Sequence, residues 1–517
     1  MSVIEKSTEG PNPLNDVPVS KSSSIFQGVL TFGLLSGVAY FASLLKTLVI
    51  TRYFGTSAQM DAYAMAVLVP NLLAALLAGS CAASIVPVLA QIEHDGREER
   101  AGAWRAGYII FAGACALVSL GLYLFAAPIM SHLAIGFDPE RLALSVRLLR
   151  LASPFVVLNA AYAFASADLL SRKKFAVVAA APAISTIVSI AVIVGFRSLG
   201  ISSLVWGLIL GTAIQAFALS LPAWRANASA SRFRLWTPAV RMMLAAHAPL
   251  IVVSLFGVTN SFVDQAVAGF LPVGNVSALN YANTINSFVV QATAMALSWI
   301  VLPEFSSLAA SGNTAVLKEK ARRCIKAAAM IAAPASMLVL IGGKFAIRLL
   351  LQHGAFNANS THVVYLSWAG YTVGLLPLSI GILGARILNA LRENRFLAKL
   401  GLVSLVANAL LDFIFMHYWG ALGITLSTSI VYCITSVVIF RFLYARIGLT
   451  LGREVWKYFG RVALACLLAG IPALLYGSGP ESPTRWIFSN TAFIAIVAFL
   501  YLRFRVVKSF RGMLAEL

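Results

Sequence analysis

Six cationic side chains fall inside long apolar stretches of this 517-residue chain: Lys46, Arg147, Arg150, Lys344, Arg386 and Arg461. A cation at the centre of a membrane helix costs roughly 2.5–3.5 kcal/mol on insertion scales, so each needs a reason to be there. Lys344 and Arg461 stand near the ends of their stretches, where a long side chain snorkels to the interface. Lys46 has nearly a full turn of apolar residues after it before Arg52. Arg147 and Arg150 are three apart and share a helix face. Arg386 precedes Arg392 by six positions. Lys46, Arg147, Arg150 and Arg386 together would make a cationic lining suited to an anion such as a diphosphate. The alternative is structural pairing with buried carboxylates.

The acids at similar depth are Asp61, Asp264 and Asp412. Asp61 stands where it would cap its own helix, satisfying free N–H groups and the helix dipole, or serve a functional role. Asp264, followed by Gln265 and preceded by Asn260, is the best candidate for a titrating or cation-binding group, or for a partner of Lys46. Asp412, near a stretch end, reads as structural. One stretch carries Asn280, Asn283, Thr284, Asn286 and Gln291, too many polar groups for lipid contact. Neutral hydrogen-bonding groups on one stripe suit sugar hydroxyls, and they also hold helices together.

No P-loop, HExxH or GxSxG occurs, so catalytic residues are expected to be none. The histidines show no ligand spacing, and Cys81, Cys115, Cys324, Cys433 and Cys466 are scattered with no CxxC, so metal ligands are expected to be none. No cofactor is expected beyond a coupling cation or proton.

These residues must be positioned by membrane helices. The chain is 60% hydrophobic and 11% charged, far below the roughly 25% charged of soluble domains. Fourteen apolar spans run near 25–50, 61–90, 106–130, 143–169, 175–196, 201–222, 243–271, 277–303, 325–350, 361–390, 397–416, 419–440, 457–476 and 486–502. Of 39 Lys and Arg, 28 fall in one set of alternate loops and the two tails, and five (Arg52, Arg141, Arg197, Arg348, Arg485) in the opposite set. That asymmetry places both termini in the cytosol. The net charge of +20 then reflects topology and attraction to anionic membrane lipids rather than nucleic-acid recognition.

A faint repeat of about 220 residues relates spans one to six to spans seven to twelve, in parallel orientation, an arrangement that puts a cavity between two lobes. It is carried by Ile85-Val86-Pro87 and Val301-Leu302-Pro303, by Tyr63-Ala64 and Tyr281-Ala282, and by the basic ends of the fourth and tenth spans. The expected organisation is a disordered tail at 1–24, an N-lobe at 25–222, a linker at 223–242, a C-lobe at 243–445, and spans thirteen and fourteen with a tail at 446–517. The fold class expected is an all-α polytopic membrane protein of fourteen transmembrane helices, with two pseudo-symmetric six-helix lobes plus two C-terminal helices. Within it the hairpin from Lys46 to Gln91, broken by Pro70-Asn71 and Gly79-Ser80, reads as the wall of a polar cavity in a transporter.

The hairpin resembles the MurJ/MviN family of lipid II flippases, within the multidrug/oligosaccharidyl-lipid/polysaccharide exporter superfamily. The residues that carry the resemblance are Arg52-Tyr53-Phe54-Gly55, Asp61-Ala62-Tyr63, Pro70-Asn71-Leu72-Leu73 and Ala78-Gly79-Ser80 through Val86-Pro87, with Pro154, Tyr281-Ala282-Asn283 and Leu302-Pro303-Glu304 further on. The resemblance implies a V-shaped, cation-lined cavity. It also implies alternating access for an undecaprenyl-diphosphate-linked saccharide, and a groove for the lipid tail built by the last two spans. It places the protein in the bacterial inner membrane, with glycan-synthesis enzymes as possible partners.

By position, Lys46 replaces a cavity arginine, and Arg52 matches the family and is expected as a further substrate-binding cavity cation. Asp61, which also matches, and Asn71, in the Pro-Asn break, are expected among the cavity's polar groups with Asn283, Thr284 and Asn286. Ala74, Gly79 and Asn283-Thr284 stand where the family usually carries charge. A lipid-linked exopolysaccharide unit is therefore an alternative cargo to lipid II. A cation-coupled drug exporter and a non-transporting membrane scaffold are rivals from other classes.

Overall fold

The computed structural model describes residues 20–92, 97–228, 234–477, 482–504 and 506. Residues 1–19 of the expected tail, 229–233 of the expected linker and the C-terminal residues 507–517 lie outside them. The first helix begins at Ser20, so residues 20–24 belong to it and not to the tail. Extending a helix from a long apolar run adds one hydrogen bond per residue without a new nucleus.

The described residues form helices and turns only. The first six spans are α1 (Ser20–Phe54), α2 (Ala58–Ile92), α3 (Arg97–Leu124) with the short α4 (Ala126–Leu133), α5 (Pro139–Ala152) with α6 (Pro154–Ser171), α7 (Phe175–Gly195) and α8 (Ser202–Ala226). The next six are α9 (Pro238–Ala268), α10 (Asn275–Val290) with α11 (Ala296–Ala310), α12 (Thr314–Leu351), α13 (Ala358–Val373) with α14 (Leu375–Ala390), and the two arms of α15 (Asn394–Ile447). One π-helical turn joins α10 to α11. The chain ends in α16 (Gly452–Gly477) and α17 (Pro483–Arg503). Each of the fourteen expected spans thus coincides with a helix, a helix pair or an arm.

The internal repeat is visible in backbone detail. The fourth span breaks at Ser153-Pro154, and the tenth breaks at Gly374, where α13 and α14 meet at 45°. Pro154 lacks an N–H, and Gly374 starts a turn ahead of Pro377. Hydroxyls from neighbouring helices satisfy carbonyls near both breaks: Ser119 donates to the Ser153 carbonyl at 2.7 Å, Ser429 to Gly370 at 2.6 Å and Ser436 to Pro377 at 2.6 Å. Gly200, between α7 and α8, has φ 57° and ψ −138°; Gly420, between the arms of α15, has φ 56° and ψ −133°. Lys173 and Arg392, both at φ 60°, close the fourth and tenth spans. The next N–H bonds five residues back in each case, Lys174 to Leu169 and Glu393 to Leu388, both at 2.9 Å.

Packing joins the bodies of the two lobes at the charge-poor end, and α9 bridges them toward the basic end. The end bearing the basic loops is called here the basic end, and the other the charge-poor end. At the charge-poor end a single apolar core runs through both lobes, from Ile50, Met65 and Leu148 to Tyr281, Trp368 and Ile424. Toward the basic end it divides. One core holds Trp104, Phe164 and Leu169 of the first lobe, the other Phe305, Leu317 and Leu443 of the second. α9 belongs to both halves: its start packs in the first lobe's core, where His247 Nδ1 lies 3.0 Å from Ser84 Oγ. α16 and α17 attach to the flank of α12, where Trp486 donates to the Gly342 carbonyl at 2.9 Å and Tyr501 to Met330 at 3.1 Å.

The first lobe's basic end is braced by Asp168, which is fully buried. It accepts from Arg100 at 2.8 Å, Arg172 at 3.0 Å and Asn227 at 3.1 Å, tying α3, α6 and α8 together. Asp168→Ala is expected to destabilise the protein by about 3–5 kcal/mol, because it strands a buried guanidinium. Thermal unfolding of the purified protein checks this, and an unchanged melting temperature would refute the brace.

Candidate functional site

The two lobes are sealed at the charge-poor end by a turn of one lobe against a helix start of the other. Asp61, at the start of α2, is fully buried. Its Oδ2 accepts from the Gly274 N–H at 2.6 Å and its Oδ1 from the Ser277 N–H at 2.8 Å. The carboxylate therefore caps α10, in the opposite lobe, and not its own helix, which is one of the two roles the sequence leaves open. Free N–H groups and the helix dipole both favour an anion there. Arg141 stands 3.9 Å away, held by Asp138.

Around this cap the backbones come close. Gly274 adopts φ +94°, and a Cβ there would lie 2.8 Å from the Thr56 carbonyl oxygen. Tyr281 donates to the Gly55 carbonyl at 2.9 Å, the Ala355 N–H donates to the Arg52 carbonyl at 2.9 Å, and the Thr56 and Ser360 hydroxyls bond at 2.7 Å. Arg52 thus contributes its backbone to the seal. Its guanidinium is exposed and has no partner among the described residues.

Lys46 lies less than two turns inside this seal on α1. It is half-buried, and among the described residues it has neither a hydrogen bond nor an ion pair. The alternative pairing with Asp264 does not form. Farther along α2 beyond Asp61, and along α10, the polar groups are neutral. Asn71 is exposed on α2, in a stripe with Ala75, Ala83 and Pro87. Asn283 and Thr284 on α10 are half-buried, with Thr284 donating to the Asn280 carbonyl. Asn286 is buried and its Oδ1 has no partner. Arg386, on α14, reaches α11, where its Nε donates to Ser298 at 2.7 Å.

Arg147 and Arg150 are elsewhere. The buried face of α5 is Ser145, Leu148, Leu149 and Ala152, packed toward α2 and α8. The arginines occupy the opposite face, so they point away from the lobe interface. They line a groove of about 840 Å³ formed by first-lobe residues alone. Their expected place in a lining between the lobes is thus corrected: Leu148, Leu149 and Ala152 with the small Ser145, not the two cations, decide which side of α5 faces inward.

A second polar cluster lies within the second lobe. Asp264 on α9 accepts from Asn408 at 2.7 Å, from Tyr371 at 2.9 Å and from Thr428 at 2.9 Å. Asn408 also donates to Asp412 at 2.8 Å, and Asp412 accepts from Ser427. Asp264, Asn408 and Asp412 are all buried, and among the described residues no Lys or Arg pairs with either acid. The Asn408 Oδ1 has no partner. Two buried carboxylates served only by neutral donors would carry uncompensated charge if both were ionised. Their oxygens, with the free Asn408 oxygen and two hydroxyls, suit a hard monovalent cation or a proton. Asp412, expected to be structural, and Asn408, not singled out, both belong to this cluster. Their spacing of four, on one helix face, is the signal that could have found them.

Comparison with known proteins agrees with this architecture. Residues 50–494 match the family model of the lipid II flippase MurJ. The chain belongs to the MurJ family. The lipid II flippase MurJ of Burkholderia cenocepacia is 26% identical over 466 residues, covering 87% of this chain and 89% of that one. The probable lipid II flippase MurJ of Synechocystis is 24% identical over 468 residues, covering 86% and 87%. Among solved structures, a MurJ lipid II flippase in an inward closed conformation superposes with a TM-score of 0.81 at 20% identity, covering 92% of this chain and 99% of that one. An inward-facing multidrug transporter of the MATE family, in the MOP superfamily, gives 0.66 at 14% identity, covering 81% and 96%. The MurJ fold is thus common to this chain and its relatives, and the protein is a multi-pass membrane protein of a transporter family.

In this MurJ-family chain, removing the Asp61 cap should weaken the closed end. Asp61→Ala frees two α10 N–H groups, at about 1–2 kcal/mol, a shift of about 5- to 30-fold in the closed population. A Thr56→Cys/Ser360→Cys pair should crosslink readily in the parent, with the yield falling several-fold when Asp61→Ala is added. An unchanged yield would refute the cap's role.

Proposed function

We propose that this protein moves a polyprenyl-diphosphate-linked saccharide across the bacterial inner membrane, from the cytosolic to the outer leaflet. The observation that carries the reading is the division of the core. The lobes share one core at the charge-poor end and separate toward the basic end, with unpaired Lys46 just inside the seal. Basic loops face the cytosol, so the basic end and both termini are cytosolic, and the protein rests open to its substrate's side.

Lys46 attracts the diphosphate, and the amides and hydroxyl of Asn71, Asn283, Thr284 and Asn286 meet the saccharide, while the lipid tail stays in the bilayer. Release of the Asp61 cap and closure of the basic ends then exposes the cargo to the other leaflet. Asp264 and Asp412 supply the coupling. A cation or proton bound between them removes the repulsion between the pair by cancelling one negative charge and fixes α9 against both arms of α15, and α9 leads directly into the sealing turn at Gly274. The saccharide delivered outside would pass to glycan-synthesis enzymes.

Lipid II is the cargo that the relatives' names indicate. A second reading, a lipid-linked exopolysaccharide unit, is favoured by the neutral Asn283-Thr284 pair and by Ala74. Complementation of cells depleted of their own lipid II flippase separates the two. Growth supports lipid II; no growth, with the protein present in the membrane, supports the other cargo. In whichever assay reports transport, Lys46→Glu is expected to abolish it and Lys46→Arg to retain it; full activity of Lys46→Glu would refute the anion-binding role. Asp264→Asn is expected to remove the dependence of transport on an imposed sodium or proton gradient. A variant with unchanged rate and unchanged gradient dependence would exclude that acid from coupling.

A further inference from the structure

The groove on the back of the first lobe has no part in the pathway just described. α5 separates it from α2 and the lobe interface, and no second-lobe residue lines it. Its floor is Arg147 and Arg150, and its walls are Tyr123 at the end of α3, Ser198 in the connection before α8, and Ser202 and Trp206 on α8. The volume is about 840 Å³. Both arginines are exposed into it, and among the described residues neither has a carboxylate or hydrogen-bond partner. The Arg150 guanidinium lies 6.0 Å from the Tyr123 ring centroid. The one acid on the same face of α5, Glu140, stands seven positions toward the charge-poor end and pairs with neither.

Helical side chains lean toward the N-terminus of their helix. α5 starts at the charge-poor end, so both guanidiniums reach toward that surface, level with the connection at 198–202. Tyr123 and Trp206 are residues of the kind that sit at headgroup depth. The flanking helices present exposed Leu117, Leu120 and Leu124 on α3 and Leu210 and Phe217 on α8, an apolar surface for acyl chains. Two cations on the charge-poor side run against the charge asymmetry of the chain, and among the described residues no anion of the protein itself pairs with them.

We propose that this groove binds the phosphate headgroup of an anionic glycerophospholipid. With the orientation proposed above, the lipid is one of the outer leaflet. It is a resident lipid of the first lobe and not the transported one, because the groove opens away from the space between the lobes. Ser198 and Ser202 offer hydroxyl donors beside the two guanidiniums, and Arg suits a phosphate better than Lys does because its fork engages two oxygens.

The test uses the full-length protein in nanodiscs, with diazirine-labelled phosphatidylglycerol, phosphatidylcholine or undecaprenyl diphosphate at equal mole fraction and peptide mapping after photolysis. Labelling of segments 123–125, 143–154 and 198–206 by phosphatidylglycerol should exceed that by phosphatidylcholine by about ten-fold or more, the size expected for two cations near one anionic headgroup. R147Q/R150Q should lower it to the phosphatidylcholine level. R147K/R150K, which keeps the charge, should retain most of it and shows that loss is not misfolding. Equal labelling by the two phospholipids, no effect of R147Q/R150Q, or preferential labelling by undecaprenyl diphosphate would each overturn the proposal. The readout depends on neither transport nor the orientation of the protein, so failure of the flippase reading or of the topology leaves it separately decidable.

Discussion

A carboxylate of one lobe capping a helix of the other is the interaction on which the rest of this structure depends. Asp61 satisfies two α10 N–H groups that would otherwise be buried and unpaired. Its position lets α2 and α10 meet at the charge-poor end, while toward the basic end the lobes keep separate cores bridged by α9. A helix cap is a modest bond, worth about 1 kcal/mol. That suits a contact that has to break in each cycle. The closely packed glycine turns around it add many weak contacts whose geometry is all-or-none, which makes the seal a switch rather than a spring.

The second lobe carries the other half of such a cycle. α9 packs in the first lobe's core at its start, holds Asp264 in its body and runs into the sealing turn at its end. Any charge placed between Asp264 and Asp412 therefore acts on a helix that both lobes share. A site on α15 alone would lack this connection. The proposed cycle thereby separates three tasks: closure at Asp61, anion attraction at Lys46 and charge compensation at the acid pair.

Much of this was legible in the sequence, and the rest was hidden for identifiable reasons. The fourteen spans and the parallel repeat follow from hydropathy and turn residues; the paired breaks at Pro154 and Gly374 and the paired turns at Gly200 and Gly420 repeat them in backbone form. Lys46 is marked in the sequence by its cost in a membrane, and just inside the seal it has no partner among the described residues. The cap was not legible, because an aspartate at a helix start is ordinarily read as serving its own helix and its real partner lies more than 200 residues away in sequence. Arg147 and Arg150 were read by what they are and not by the helix they sit on. The apolar spacing of Leu148, Leu149 and Ala152 fixes their direction. Asn408 was missed because an amide draws less notice in an apolar run than an ion does, although it joins the two acids.

In the proposed cycle the seal at Asp61 and the separation of the basic ends are two sides of one equilibrium. Spin labels at Lys174→Cys and Arg395→Cys, both exposed at the basic end of their lobes, measure that separation by pulsed electron paramagnetic resonance in nanodiscs. Adding Asp61→Ala is predicted to shift the distance distribution toward shorter values, as the basic ends close when the far end is released. A distribution unchanged by Asp61→Ala would contradict the account.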